Sequence, residues 1–428
     1  MMPDNAPAPS VFSSFQVMPG RRFQLLLLTL AAAAAAYTRA GLGPLQETMR
    51  SALTLSDNQI SVLQGPALAL PVVMAAVPLG LAIDRYPRVR MLLIFAVFDV
   101  VGNLMTALTS DFAILLLARG LIGFTASAIG PAVFSLLADL YAPAERGRAA
   151  MVVVVGQFAG MSAVFALGGA LLEAFGPGPN TWRWTMFWLT ALLIPVCVSA
   201  LAMREPRRTG VVMEKPSVRQ ISLELWRYRG VISPLLTALV VADIGFGAVV
   251  VWAAPSLSRG FGLPPDRVGT IMGIGTIVSG VLGPVTGGIL ADFCQRAGGR
   301  RRTMSALSWL AVLSVPAALF AIAPGVASAS VLLVAFMTII GAILVGGAAL
   351  FTIVVPNELR GLCCALQAGL SILFAMGLAP LAVSMLSAEM GGPHMIGRAL
   401  AVVGVMASIL AAAMFAFGTR DLPSIRAR

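Results

Sequence analysis

The chain has 428 residues, of which 58% are hydrophobic and only 11% charged, too little polar surface to clothe a water-soluble globule. Long unbroken runs of Leu, Ala, Val and Ile exclude a transmembrane barrel, whose strands would alternate. A formal charge of +11 points to nucleic acid only if its cations form one patch; here they gather in alternate loops, so no nucleic-acid partner is expected.

A spanning helix needs about 20 mostly apolar residues, and this length holds roughly a dozen with short connections. The first 20 residues, Arg21-Arg22 and the run after them have the outline of a signal peptide. The apolar character continues past Ala36, so the run reads as a retained first helix, residues 23–45, carrying Tyr37, Thr38 and Arg39. Helix 2 follows Ser56-Asp57, either of which can cap it, and ends at the turn Gly80-Leu-Ala-Ile-Asp84-Arg85-Tyr-Pro-Arg88-Val-Arg90. Helix 3 (91–108) contains Asp99 and Asn103, and helix 4 (111–140) carries Arg119. The loop 143–148 leads to helix 5 (149–172) with Gln157, and Trp182-Arg183-Trp184 is an interfacial anchor for helix 6, ending near 203.

Residues 204–230, with Lys215 and six arginines, form the one long polar stretch and divide the chain; they read as a cytoplasmic linker adhering to anionic headgroups. Beyond it come helix 7 (231–253) with Asp243, helix 8 (268–291), helices 9 to 11 (304–323, 329–354, 362–386) and helix 12 (395–418). Gly288-Ile-Leu-Ala-Asp292 repeats the Gly-x-x-x-Asp spacing 208 residues after Gly80, as expected of two copies of one membrane unit. The expected fold is therefore an all-α membrane protein of 12 transmembrane helices in two six-helix bundles. Its parts are an N-terminal tail (1–22), a first bundle (23–203), the linker (204–230), a second bundle (231–418) and a C-terminal tail (419–428). Placing both termini on one side gives that side 22 Lys and Arg and the opposite side five, with Arg39 and Arg119 inside spans. The asymmetry predicts cytoplasmic termini in a cell inner membrane.

These motifs, in order and at this spacing, resemble the major facilitator superfamily over nearly the whole chain. Leu55-Ser-Asp-Asn-Gln-Ile60, the Gly80 to Arg90 turn, Ala118-Arg119-Gly-Leu-Ile-Gly123 and the 143–148 loop look most like its spinster-like branch. The resemblance implies a secondary transporter whose two bundles rock about a central cavity. It implies a gate at Gly80, Asp84, Arg85 and Arg88, with Asp84 meeting the N-terminal end of a helix of the other half, near Leu362. A carboxylate so placed gains about 0.3–2 kcal/mol; the alternative is a solvated turn that marks orientation. Asp292 stands in the shorter second copy, where Phe293 replaces Arg85. Tyr37 and Arg39 match the branch's helix 1 pattern, and Arg119 with Gly123 its helix 4 pattern. Thr38 and Ala126 occupy the positions of the two acids implicated there in proton coupling.

Charged groups at bilayer depth face a cavity or one another. Arg39 and Arg119 either hold an anionic group, which guanidinium grips bidentately, or pair with Asp99 or Asp243 and fasten helices. An acid in low dielectric is readily protonated, so Asp243, on a cavity-lining helix in this fold, is the first candidate proton site and Asp99 the second. A structural hydrogen bond is the alternative for both. Gln157, between Gly156 and Gly160, is a ligand contact or helix glue; Asn103 and Gln367 read as glue and His394 as a solvated loop residue. Cys197, Cys294, Cys363 and Cys364 lack metal spacing and read as packing residues. No catalytic constellation, metal or cofactor motif appears. The chain thus reads as a monomeric transporter, not an enzyme. The substrate expected from Arg39, Arg119, Tyr37 and Gln157 is an amphipathic organic anion or lysolipid-like molecule. Protons and membrane lipids are the further partners. A drug or other small organic solute is the alternative substrate, and a non-transporting membrane receptor or scaffold the alternative class. With the two acids replaced, uniport or anion exchange stands beside proton coupling.

Overall fold

A computed structural model describes residues 20–206, 208, 229–355 and 357–419. The tail before residue 20, most of the 204–230 linker, residues 420–428 and the side chains of the 356–361 turn lie outside the description. Eleven helices among the described residues are long and apolar enough to cross a membrane. The longest, Pro265–Ile322, crosses twice, because the chain turns back at Gly298 and Gly299. Gly299 sits at φ 61°, a conformation that strains any residue with a Cβ. The result is twelve spans in two sets of six and no strand among the described residues.

Each boundary has a local cause. The Ser56 hydroxyl accepts from Gln59 N while the Gln59 side chain bonds Ser56 N, so Ser56 and not Asp57 is the cap. Asp111 accepts from the N–H groups of Ala113 and Ile114 at 2.8 and 3.1 Å and caps span 4. The expected loop at 143–148 is the first turn of span 5, Pro143–Phe175, because proline at the first helical position loses no hydrogen bond. Span 7 runs on to Phe261, two turns past its expected end. Spans 2 and 11 are interrupted. Gly65 and Pro66 divide Asp57–Gln64 from Pro66–Arg85, and Ile372–Leu378 adopts the wider π-helical winding. Trp184 is exposed as an interfacial anchor should be, but Trp182 is fully buried, with the Arg183 guanidinium 4.4 Å above its ring.

Both described ends of the chain and the described residues that flank the linker, 204–206 and 229, lie on one face, here called the tail face. The apolar core shows how the halves meet. One buried cluster joins Leu42, Leu45, Leu63 and Phe165 of the first half to Leu257, Met272, Phe320 and Val383 of the second, all toward the far face. A separate cluster, from Leu27 and Phe95 to Leu136 and Met203, fills the tail-face end of the first half alone. Hydrogen bonds between the halves follow the same division. Ser61 Oγ lies 2.9 Å from Pro380 O and 2.8 Å from Ser384 Oγ, and Ser162 Oγ donates to Gly273 O at 2.7 Å. Gly80 and Gly288 have open space beside them, and Asp84, Arg85 and Asp292 are exposed. Among the described residues, the packing and the hydrogen bonds that join the halves lie toward the far face.

Within the first half, Gly160 lets span 5 touch span 1, since a Cβ there would collide with the Ala33 carbonyl. At the tail face Arg88 is 3% exposed and binds three side chains and the Pro206 carbonyl. Its guanidinium lies 2.5 Å from Asp139, 2.8 Å from Glu205 and 3.0 Å from Ser135 Oγ, while Glu205 also accepts from Val89 N. It therefore ties span 3 to span 4 and to the segment after span 6. Replacing Arg88 by Ala removes the charge-assisted hydrogen bonds of this guanidinium to Asp139 and Glu205, a cost of about 1.5–3 kcal/mol. The expected outcome is a lower thermal-unfolding midpoint of the purified protein, with Arg88→Lys recovering part of the loss; an unchanged midpoint for Arg88→Ala contradicts this role.

Candidate functional site

A cavity of about 290 Å³ lies between the halves, walled by spans 1, 2, 5, 7 and 11. Its lining is apolar, with Met161, Phe165, Phe246 and Met376 prominent, and contains four polar side chains: Arg39, Gln64, Asp243 and Ser371. This volume is near the lower end for pockets that hold small organic ligands.

The walls are formed where helices are interrupted. Span 1, Arg21–Ala40, ends just before Gly41, Gly43 and Pro44, which leaves the Arg39 carbonyl without the amide that would continue the ladder. Span 2 breaks at Gly65, and this frees the Leu63 carbonyl in the same way. Both are C-terminal helix ends, where oxygens and the helix dipole attract a cation. Arg119, on span 4 and 0% exposed, occupies that place. Its Nη2 donates to Arg39 O at 2.9 Å and its Nε to Leu63 O at 3.3 Å, while Nη1 has no partner among the described residues.

Of the two arginines inside spans, only Arg39 lines the cavity. No hydrogen bond is recorded for its side chain among the described residues, although it is within electrostatic reach of Asp99. Arg119 stands behind it, attached to the backbone that carries it. Tyr37 is buried on the other side of span 1, its hydroxyl donating to Leu189 O at 3.1 Å. Gln157 is half-buried on span 5, outside the cavity lining.

The two candidate acids occupy different surroundings. Asp243 lines the cavity, with the Ser371 hydroxyl within hydrogen-bonding reach, and Ser371 in turn accepts from Gln367 Nε2 at 3.1 Å. Asp99 is 6% exposed and lies outside that cavity. It accepts a hydrogen bond from Thr125 Oγ1 and is attracted by both Arg39 and Arg119. With Thr38, whose hydroxyl has no partner among the described residues, it lines a separate small void of about 30 Å³ beside Ala96 and Cys197. Asn103 donates to the Asp99 carbonyl at 3.0 Å.

Gln64 and Ser371 escaped the sequence reading. Gln64 donates to Gln46 at 2.5 Å from the end of the first helical piece of span 2. The signal was a glutamine directly before Gly65-Pro66 in an apolar run; for Ser371 it was Gln367 one turn earlier on the same helix. The cavity can thus offer a guanidinium and a carboxyl to one ligand, inside walls that favour an apolar body. Among the described residues no three His, Cys, Asp or Glu side chains converge as a metal site would require.

Known proteins fall in line with this architecture. The solved structure of a bacterial homolog of the human lysosomal transporter Spinster, in an inward-facing and unoccupied conformation, superposes with a TM-score of 0.78. It shares 21% identity, over 94% of this chain and 97% of that one, and the likeness is one of fold. A probable efflux pump mfs2 of Aspergillus flavus is 30% identical over 145 residues, 33% of this chain and 33% of the relative. A triacylglyceride transporter of Mycolicibacterium smegmatis is 33% identical over 133 residues, 30% of this chain and 22% of the relative. The matched regions therefore span a third or less of these relatives. Residues 28–253, more than half of the chain, match the family description Major Facilitator Superfamily. The chain belongs to the Major Facilitator Superfamily and is a multi-pass membrane protein.

Proposed function

We propose that the protein is a spinster-like secondary transporter that moves an amphipathic organic anion by alternating access. The observation that carries this reading is the cavity between the halves, where Arg39 lies in apolar walls with no hydrogen-bonded partner among the described residues. A carboxylate or phosphate head would accept two hydrogen bonds from the guanidinium, and an acyl or ring body would lie against Met161, Phe246 and Met376. Arg119 acts as a positioning residue, because it holds the carbonyl of Arg39 itself.

With the positive-rich tail face in the cytoplasm of a cell inner membrane, the described conformation is open inward. Asp84 and Asp292, exposed at the tail face, are then gate residues disengaged in this state. Gly80, with open space beside it, is where backbones would close up on the outward stroke, and Arg88 stiffens the gate's base. We take residues 23–203 and 231–418 as the two moving bundles of a monomer, with 204–230 as the cytoplasmic link. Asp243 is the proposed proton site, since it shares the chamber with the substrate and can answer its arrival. Asp99, sealed behind span 1, serves as counter-ion to the arginines. The same Asp243 favours a second reading, in which a cationic drug-like solute binds the carboxylate and is expelled.

Flux in proteoliposomes separates these possibilities. Anionic lysolipids and organic anions are expected to move, and Arg39→Gln to weaken their half-saturation by about 1.5–3 kcal/mol, roughly ten- to a hundredfold; cationic dyes moving unaffected by Arg39→Gln would establish the second reading instead. An imposed proton gradient is expected to drive flux in the parent protein and to have no effect in Asp243→Asn. A gradient response that survives Asp243→Asn removes Asp243 as the proton site.

A further inference from the structure

The far face is shut by charge as well as by apolar packing. Arg259, in the last turn of span 7, crosses to two acids of the first half. Its Nε and Nη2 lie 2.8 and 2.7 Å from the two oxygens of Glu47, on the short helix Gln46–Ala52. Its Nη1 and Nη2 each lie 2.8 Å from an oxygen of Asp57, the first residue of span 2. The Pro393 carbonyl accepts from Nη1 at 3.1 Å, and the Trp252 ring centre is 5.9 Å from the guanidinium carbon. All five donors of one guanidinium are thus engaged in a cluster whose members are 8–27% exposed.

A clamp of this kind raises a physical difficulty for alternating access. If Arg259 departs with its half, Glu47 and Asp57 stay behind as two adjacent carboxylates, and uncompensated charges in a partly dry site are strongly unfavourable. Arg50 resolves it. It belongs to the same half as the acids, and its Nε lies 3.9 Å from Glu47 and 3.7 Å from Asp57, near enough to attract both but hydrogen-bonded to neither. A small rotation of its side chain would bring it into the place Arg259 vacates.

We infer that the far face is a partner-exchange latch: Glu47 and Asp57 are held by Arg259 when that face is closed and are handed to Arg50 when it opens. The acids are paired in both states, so the clamp gives the closed state definition without making the open one inaccessible. This inference rests on the alternating-access reading above. It makes the two arginines of one cluster opposite in effect. Losing Arg259 releases the far face, whereas losing Arg50 leaves the open state with unpaired acids and holds the face shut. A purely structural ion cluster would give both losses the same direction.

Distances between spin labels test this without a substrate. Labels at Ser51→Cys and Ala388→Cys, both exposed at the far face on opposite halves, would be measured in full-length protein in lipid nanodiscs with the four native cysteines replaced. The parent is expected to show mainly the short distance, and Arg259→Gln a several-fold larger population at long distance. Arg259→Lys, which keeps the charge but not the four-oxygen grip, is expected to show both populations. Adding Arg50→Gln to Arg259→Lys should return it to the short distance, and Arg50→Lys in that background should not. A long-distance population that grows or stays constant on loss of Arg50 overturns the exchange. Failure of both Arg259 variants to lengthen the distance overturns the latch itself. A far face that stays shut with an anionic lysolipid added, in labelled protein that transports that lysolipid once reconstituted in proteoliposomes, would likewise refute the latch while leaving the transport reading standing.

Discussion

A guanidinium sealed in an apolar interior must find oxygen, and the arrangement of the first half follows from where Arg119 finds it. Stripping such a group of water costs several kcal/mol, even after relaxation. Side-chain acids do not meet that need directly here, since Asp99 acts on Arg119 only through space. Carbonyls do, and only helix ends have carbonyls to spare. Arg119 therefore requires span 1 to stop at Ala40 and span 2 to break at Gly65, both beside span 4. The two interruptions are the points at which irregular backbone lines the cavity, the circumstance in which a membrane interior tolerates it.

The cavity inherits its character from that fixture. Because Arg119 holds the backbone oxygen of Arg39, the neighbouring guanidinium is left to the chamber, and Gln64 is presented from the broken end of span 2. Across the chamber the π-helical winding of Ile372–Leu378 follows directly on Ser371, which stands beside Asp243. Irregular turns in both halves thus meet at one place, while the regular parts of the spans supply rigid walls. The far-face seam of Ser61, Ser162 and Arg259 completes the enclosure on one side only.

Much of this was legible in the sequence because its signals are one-dimensional. Span number, the repeat of Gly80–Asp84 at Gly288–Asp292 and the charge asymmetry depend on hydropathy and spacing alone. The buried arginines and Asp243 stood out because charge at bilayer depth demands a reason. What the sequence did not reveal depends on rotation about a helix axis. Arg39 and Arg119 looked alike as solitary cations, yet one lines the chamber and the other is spent on backbone. Tyr37, two residues from Arg39, turns away to Leu189, and Trp182 is buried where Trp184 is exposed. Glu47, Asp57 and Arg259 are ordinary loop-end charges until the halves are docked, because 202 residues separate the last two.

The claim on which the account stands is that the cavity between the halves receives an anionic head at Arg39. The most direct measurement is a cryo-electron microscopy structure of the full-length protein in nanodiscs with an anionic lysolipid added. The account predicts density for the head against the Arg39 guanidinium and for the chain along Met161, Phe246 and Met376. An empty cavity, or a lipid lodged only on the outer surface of the spans, would contradict it.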